Sequence, residues 1–93
     1  MNADRRKQLK FVRAKLAEAC ILIEAARDSL ESAKDEELEA FENMPESLQN
    51  GDKGTAMNEG IDTMGELWDT LDDMATELGN ADDAITNDLC IKG

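Results

Sequence analysis

Carboxylates are the side chains in this sequence whose type and spacing suit chemistry. Glu36, Glu39 and Glu42 follow one another at intervals of three, and Glu59 with Asp62 and Glu66 with Asp69 repeat that interval later. Residues three or four apart share one face of a helix, so each pair presents two carboxylates side by side. Such pairs on facing helices can hold Mg²⁺ against the phosphates of a nucleotide. Other chemistries lack their parts. The chain has no His and no Tyr, which removes serine triads, histidine-type zinc sites and the Glu-x-x-His di-iron signature. Gly51-Asp52-Lys53-Gly54 has neither the spacing nor the Ser/Thr of a phosphate loop. No calcium loop of the Asp-x-Asp-x-Asp-Gly kind occurs.

Glu-x-x-Glu followed by Glu-x-x-Asp is similar to the arrangement in all-α nucleotide pyrophosphohydrolases of the MazG type. In a hairpin turning near residue 49, Glu39 and Glu59 would fall at one level. The resemblance implies a Mg-dependent nucleotide hydrolase. The helical register opposes it: with Leu38, Phe41, Ile61 and Met64 pointing inward, Glu59 and Asp62 fall on the outer face. A chain with twenty-two acidic residues also contains Glu-x-x-Glu by chance. The reading adopted is non-enzymatic, without cofactor or metal, and the hydrolase is kept as its alternative.

The elements that position these carboxylates are two long helices. Residues 4–43 contain neither Gly nor Pro and are rich in Ala, Leu, Glu, Lys and Arg, which favours a helix. Leu9, Leu16, Ile23 and Leu30 recur every seven residues, and Val12, Ala19, Ala26 and Ala33 follow three places behind. This predicts a heptad seam with a small-residue row that lets a partner helix come close. After Leu30 the next large residues are Leu38 and Phe41, which predicts a stutter. The helix must stop near Asn43, because Pro45 disfavours the helical conformation at Met44. Pro45 to Leu48 suit a single turn with Pro in first place, and Asn50-Gly51 suits a reversal.

A second pattern begins at about Asp52 or Thr55 and, expected as a helix over about 55–89, runs Met57, Ile61, Met64, Trp68, Leu71, Ala75, Leu78, Ile85 and Leu89. Asp82 occupies the vacant seam position. Leu67, Met74 and Ala81 widen the stripe beyond what a two-helix seam requires. The fold class expected is therefore all-α: one domain over 1–93, a long antiparallel helical hairpin with its turn at 44–54. Leu16, Ile23, Leu30, Ile61, Met64, Trp68, Leu71 and Leu78 are the expected core and dimer residues. A chain of 93 residues buries little alone, so the broad stripe predicts a homodimer, most simply a four-helix bundle. Cys90 to Gly93 are expected to fray.

Charge is distributed unevenly. Residues 1–15 carry six basic side chains against Asp4 alone, a net of +5, while residues 16–93 carry four basic and twenty-one acidic ones, a net of −17. Cations at a helix N-terminus oppose the macrodipole. A hairpin compensates by laying them beside Asp72, Asp73, Glu77, Asp82 and Asp83. The overall net charge of −12 argues against direct nucleic-acid contact, which needs clustered Lys and Arg, and steers the chain toward basic surfaces. Charges on most faces of a helix simply keep it solvated; a binding role needs charges gathered at one place.

The turn register puts Cys20 across from about Leu78 and Cys90 across from about Gln8, too far apart for a disulfide. Two free thiols are expected. The start Met-Asn-Ala-Asp-Arg-Arg lacks the apolar core of a secretory signal, and no apolar run approaches a membrane span, so a cytoplasmic location is expected, with no membrane partner.

Asp35-Glu36-Glu37 and Ala40-Phe41-Glu42-Asn43-Met44-Pro45-Glu46-Ser47-Leu48-Gln49, followed by Gly54, Met57 and Ile61-Asp62, resemble small acidic helical proteins encoded by bacteriophages and prophages. In those a run similar to DEExxAxxNxPESLQ precedes a Glu/Asp-rich heptad helix. The resemblance covers roughly residues 30–75, and Asn-x-Pro-Glu-Ser-Leu-Gln is its specific part. It implies phage origin and the host cytoplasm, and carries no activity or site residues. This chain departs from it at Gly51-Asp52-Lys53-Gly54 and by glycines at 60, 65 and 79. The function expected is an acidic interaction protein that binds and inhibits a basic nucleic-acid-binding protein, such as a CRISPR-like defence complex. Its contact residues would be Glu36, Glu37, Glu39, Glu42, Asp69, Asp72 and Asp73. A structural coiled coil without a host partner is the remaining class.

Overall fold

The computed structural model describes residues 2–91, which form three helices, with no strand among them. α1 spans Ala3–Glu42, α2 spans Glu46–Gln49 and α3 spans Asp52–Asn87. The carboxamide of Asn2 accepts from the Arg5 backbone N–H at 2.9 Å, an N-cap that starts α1 one residue earlier than composition suggests. At the other end Met44 N–H donates to the Phe41 carbonyl at 3.1 Å, tightening the last turn before Pro45 stops it. Pro45 lies just outside α2 rather than at its first position: its ψ of 143° is extended, and its carbonyl accepts from Leu48 and Gln49 N–H.

α3 begins at Asp52, the earlier of the two expected starts, with Thr55 N–H donating to the Gly51 carbonyl at 3.0 Å. Gly54 explains why the chain can turn so tightly into a helix. It is buried, and a Cβ there would lie 2.6 Å from Gln49 Cα. Only glycine allows that approach. Gln49 completes the junction. Its Nε2 donates to the carbonyls of Phe41 at 2.9 Å and Met44 at 3.2 Å, satisfying acceptors that a helix end leaves without intrahelical partners.

Contacts divide the chain into two compact units, residues 1–25 with 72–93, and residues 26–71. The second unit is a helix–turn–helix hairpin. Its inward positions are Leu30, Lys34, Glu37, Phe41 and Met44 on one side and Gly54, Met57, Ile61, Met64, Trp68 and Leu71 on the other, with Gly54 and Ile61 buried and the rest half-buried. In the first unit the two helical segments run antiparallel. Arg13 meets Asp82 and Cys20 meets Ala75, around the buried side chains of Ala75, Ile85 and Ile91.

The half-buried row of α1 differs from the one the leucine spacing suggested. Leu9, Leu16, Ile23 and Leu30 are on it, but the second row is Arg13, Cys20, Arg27, Lys34 and Phe41, one place beyond Val12, Ala19, Ala26 and Ala33. Val12, Ala26 and Ala33 are exposed and Ala19 is half-buried. Arginine and lysine serve there because their stems are apolar while their heads reach a partner or solvent. The same row removes the expected stutter. Lys34, Glu37, Phe41 and Met44 continue the alternating steps of three and four, so no eleven-residue interval is needed. α1 contributes no buried residue. Among the expected core residues Ile61 is buried and Leu16, Ile23, Leu30, Met64, Trp68, Leu71 and Leu78 are half-buried.

The end of the described chain is held rather than frayed. Cys90 takes a φ of 57° and turns the chain back, a task usually given to glycine. Ile91 N–H then donates to the Ile85 carbonyl at 3.1 Å, and the Ile91 side chain is 2% exposed. Lys92 and Gly93, also expected to fray, lie outside the described residues. Cys20 and Cys90 are free thiols. Cys20 Sγ reaches the Ala75 carbonyl at 3.8 Å, which sets the register three residues away from the expected pairing with Leu78.

Candidate functional site: an acidic cleft beside Trp68

The second unit contains a cleft of about 590 Å³ lined by Glu31, Lys34, Asp35, Ile61, Asp62, Gly65, Glu66, Trp68 and Asp69. Its position follows from the seam. Ile61 and Trp68 are seam residues seven apart. Asp62 and Asp69 each stand one place beyond a seam residue and Gly65 four places beyond Ile61, and all three rim the same side. On α1, Glu31 and Asp35 are four apart and flank Lys34. Gly65 leaves the space open: a Cβ there would come within 3.3 Å of Lys34 Nζ. Five carboxylate residues and one lysine thus line the cleft, with Ile61 and Trp68 as its apolar floor.

Trp68 forms part of that floor. The Arg27 guanidinium carbon lies 5.6 Å from the centre of its ring, within cation–π range. The indole Nε1 is buried without a hydrogen-bond partner, so the ring is held by packing and by the cation over its face. A second groove in this unit, about 270 Å³, is lined by Glu37, Lys53, Ala56, Met57, Gly60 and Met64.

The carboxylates singled out in the sequence are distributed over separate places. Asp69 lines the large cleft and Glu37 the smaller groove, while Glu36, Glu39 and Glu42 are exposed and line neither. Asp72 and Asp73 belong to the first unit, where Asp72 is half-buried and Asp73 exposed. Of the spaced pairs, Glu66 and Asp69 enter the cleft together, whereas Glu59 is exposed and its mate Asp62 is a cleft residue. Among the described residues no group of three or more Asp, Glu or Cys side chains is gathered as metal ligands. Sequence reasoning passed over Glu31 and did not join Asp35 to α3. Both follow once the second seam row is placed on Arg27 and Lys34, because Glu31 and Asp35 flank that row.

Arg13 of the basic N-terminal segment pairs across the first unit. Arg13 Nε donates to Asp82 Oδ1 at 2.8 Å and its Nη1 to the Ile91 carbonyl at 3.0 Å. Lys15 instead pairs along α1 with Glu18 at 3.3 Å and lies 5.2 Å over the ring of Phe11. Asp82, the one charge in the α3 seam pattern, is thus matched by Arg13 of the α1 seam.

Comparison with family models, with curated proteins and with solved structures gave no match. No helix among the described residues is long and apolar enough to cross a membrane.

Proposed function

We propose that this chain is a non-enzymatic, acidic interaction protein whose partner is a basic nucleic-acid-binding protein, and that it works as a homodimer, most simply a four-helix bundle. The observation that carries the reading is the cleft beside Trp68, whose lining includes Glu31, Asp35, Asp62, Glu66 and Asp69 and a single lysine. A guanidinium or ammonium group is the natural occupant. Arginine forms paired, charge-assisted hydrogen bonds with carboxylates, and the apolar floor suits its flat stem. The net charge of −12 extends that preference over distance, raising the rate of encounter with a basic surface.

A basic groove that binds phosphates would be blocked by such a surface. The resemblance of residues 30–75 to phage-encoded proteins makes a host defence complex of the CRISPR type a reasonable target for inhibition. In this reading Glu36, Glu37, Glu39, Glu42, Asp72 and Asp73 supply further contacts to the partner, in addition to Asp69 and the other cleft residues. The test is affinity capture from bacterial lysate with mass spectrometry, comparing the natural chain with Glu66→Lys/Asp69→Lys and with Glu39→Lys/Glu42→Lys. A basic nucleic-acid-binding protein should be enriched on the natural chain and lost from the cleft variant. Equal capture by all three would refute the placement.

A further inference from the structure

We infer that Lys34 holds the cation position of the cleft beside Trp68, and that the partner's arginine enters by displacing it. This rests on the reading of the cleft given above and names the residue that controls entry. The position lies over Gly65. On the α3 wall Ile61, Asp62, Glu66, Trp68 and Asp69 stand one, three or four places from Gly65, so Gly65 is the middle of one helical face. A Cβ at Gly65 would lie 3.3 Å from Lys34 Nζ and 3.7 Å from its Cε. The end of the lysine therefore rests against the space that glycine leaves in the middle of that wall.

Partners distinguish Lys34 from the other cations of its row. Arg13, Arg27 and Lys34 share the half-buried row of α1. Arg13 is paired with Asp82 and with the Ile91 carbonyl. Arg27 lies over the Trp68 ring and is paired with Asp28. Lys34 forms no side-chain hydrogen bond or ion pair among the described residues, and neither do the carboxylates of Glu31, Asp35, Asp62, Glu66 and Asp69. Those five residues are exposed, whereas Lys34 is half-buried. The apolar stem of the lysine in the seam keeps a cation at the α3 wall, while the carboxylates at the rim stay unclaimed.

An incoming arginine does what Lys34 does not. Its planar guanidinium donates paired, charge-assisted hydrogen bonds to a carboxylate. It is also more weakly hydrated than an ammonium group, so it loses less on entering a half-buried place. Two cations do not share one position, because like charges in contact repel. The flexible stem of Lys34 lets its ammonium withdraw to solvent as the guanidinium arrives. Lys34 is thus a resident competitor, and the affinity for arginine falls by the fraction of time that the position over Gly65 is free.

The test is a titration of the full chain with a blocked tetra-arginine peptide, read by the fluorescence of Trp68, the only tryptophan. Circular dichroism is the control for folding. The natural chain should bind saturably. Lys34→Met keeps an apolar stem and should bind about tenfold more tightly, as for a position that is free about one-tenth of the time. Lys53→Met removes the same charge from the smaller groove of this unit and, at about 0.1 M salt, should change the affinity less than about twofold. Gly65→Leu fills the position itself and should abolish binding with either residue at 34. Absence of saturable binding by both the natural chain and Lys34→Met would overturn the reading of the cleft, and this inference with it. Binding that Lys34→Met leaves unchanged or weakens, or that Lys53→Met strengthens equally, would overturn only the role of Lys34. Binding that survives Gly65→Leu would overturn the position assigned to the cation.

Discussion

Arg13 Nε donates to Asp82 Oδ1 at 2.8 Å across an interval of 69 residues, and the same guanidinium donates to the Ile91 carbonyl at 3.0 Å. One side chain therefore fixes the register of the first unit and closes its last turn. The pair is partly exposed, at 22% and 34%, so its contribution is discounted for solvent screening. Arg13→Ala should cost about 1 kcal/mol, which in a domain of this size lowers Tm by ~4–8 °C. Asp82→Leu alone should also destabilise, by leaving the arginine opposite an apolar residue. Arg13→Leu/Asp82→Leu should recover much of that loss, since an apolar pair of similar volume replaces a partly buried ion pair at little cost. Thermal melts of the natural chain, Arg13→Leu, Asp82→Leu and the double variant complete the cycle, and strict additivity would show that the two residues do not act together.

Ile91 gives a second test of the same corner. Its side chain is among the most buried in the chain, although it follows the end of α3. Ile91→Ala should cost ~2–4 kcal/mol, far more than a frayed tail would. Cys90→Gly should act oppositely and stabilise by up to ~1 kcal/mol, because Cys90 holds a φ of 57° that glycine adopts freely. Urea unfolding midpoints would measure both.

The junction depends on a donor rather than on shape. Gln49 Nε2 gives its protons to the Phe41 and Met44 carbonyls. Gln49→Glu keeps the outline but turns a donor into an acceptor facing acceptors, and should cost ~1–3 kcal/mol. Gln49→Ala should cost less than Gln49→Glu. Equal stability of Gln49→Glu and the natural chain in a thermal melt would contradict the role assigned to the carboxamide.

Two glycines make opposite predictions. At Gly54 a methyl group would collide with the Gln49 backbone, whereas nothing lies within 4 Å of a Cβ built at Gly79. Gly54→Ala should therefore destabilise strongly, while Gly79→Ala should raise stability by about 0.5–1 kcal/mol through helix propensity alone. Differential scanning calorimetry should place the two variants on opposite sides of the natural Tm.

The α3 seam was legible because its large residues are apolar at almost every step from Met57 to Ile85, and the all-helical class followed from composition. Leu89, expected to end the seam, instead lies beyond α3 and is 46% exposed. The α1 seam was not, for a physical reason. Its second row is Arg13, Cys20, Arg27 and Lys34, and a reading by hydropathy prefers the alanines one place earlier. Polar heads at the edge of a seam are invisible until their partners are known: Asp82 for Arg13, Trp68 for Arg27. That one-place shift also hid Glu31 as a cleft residue and produced the expected stutter. The end at Ile91 was hidden differently, since a left-handed cysteine carries no sequence signal of the kind a glycine would.

The central claim is that the carboxylates beside Trp68 engage a basic protein where that protein binds nucleic acid. The direct measurement is competition: once the basic partner is captured and purified, its affinity for this chain is titrated with and without its nucleic acid, at low and high salt. The account predicts mutually exclusive binding that weakens steeply as ionic strength rises, and loss of binding in Glu66→Lys/Asp69→Lys. Simultaneous binding of chain and nucleic acid, or an affinity that the cleft variant leaves unchanged, would contradict it.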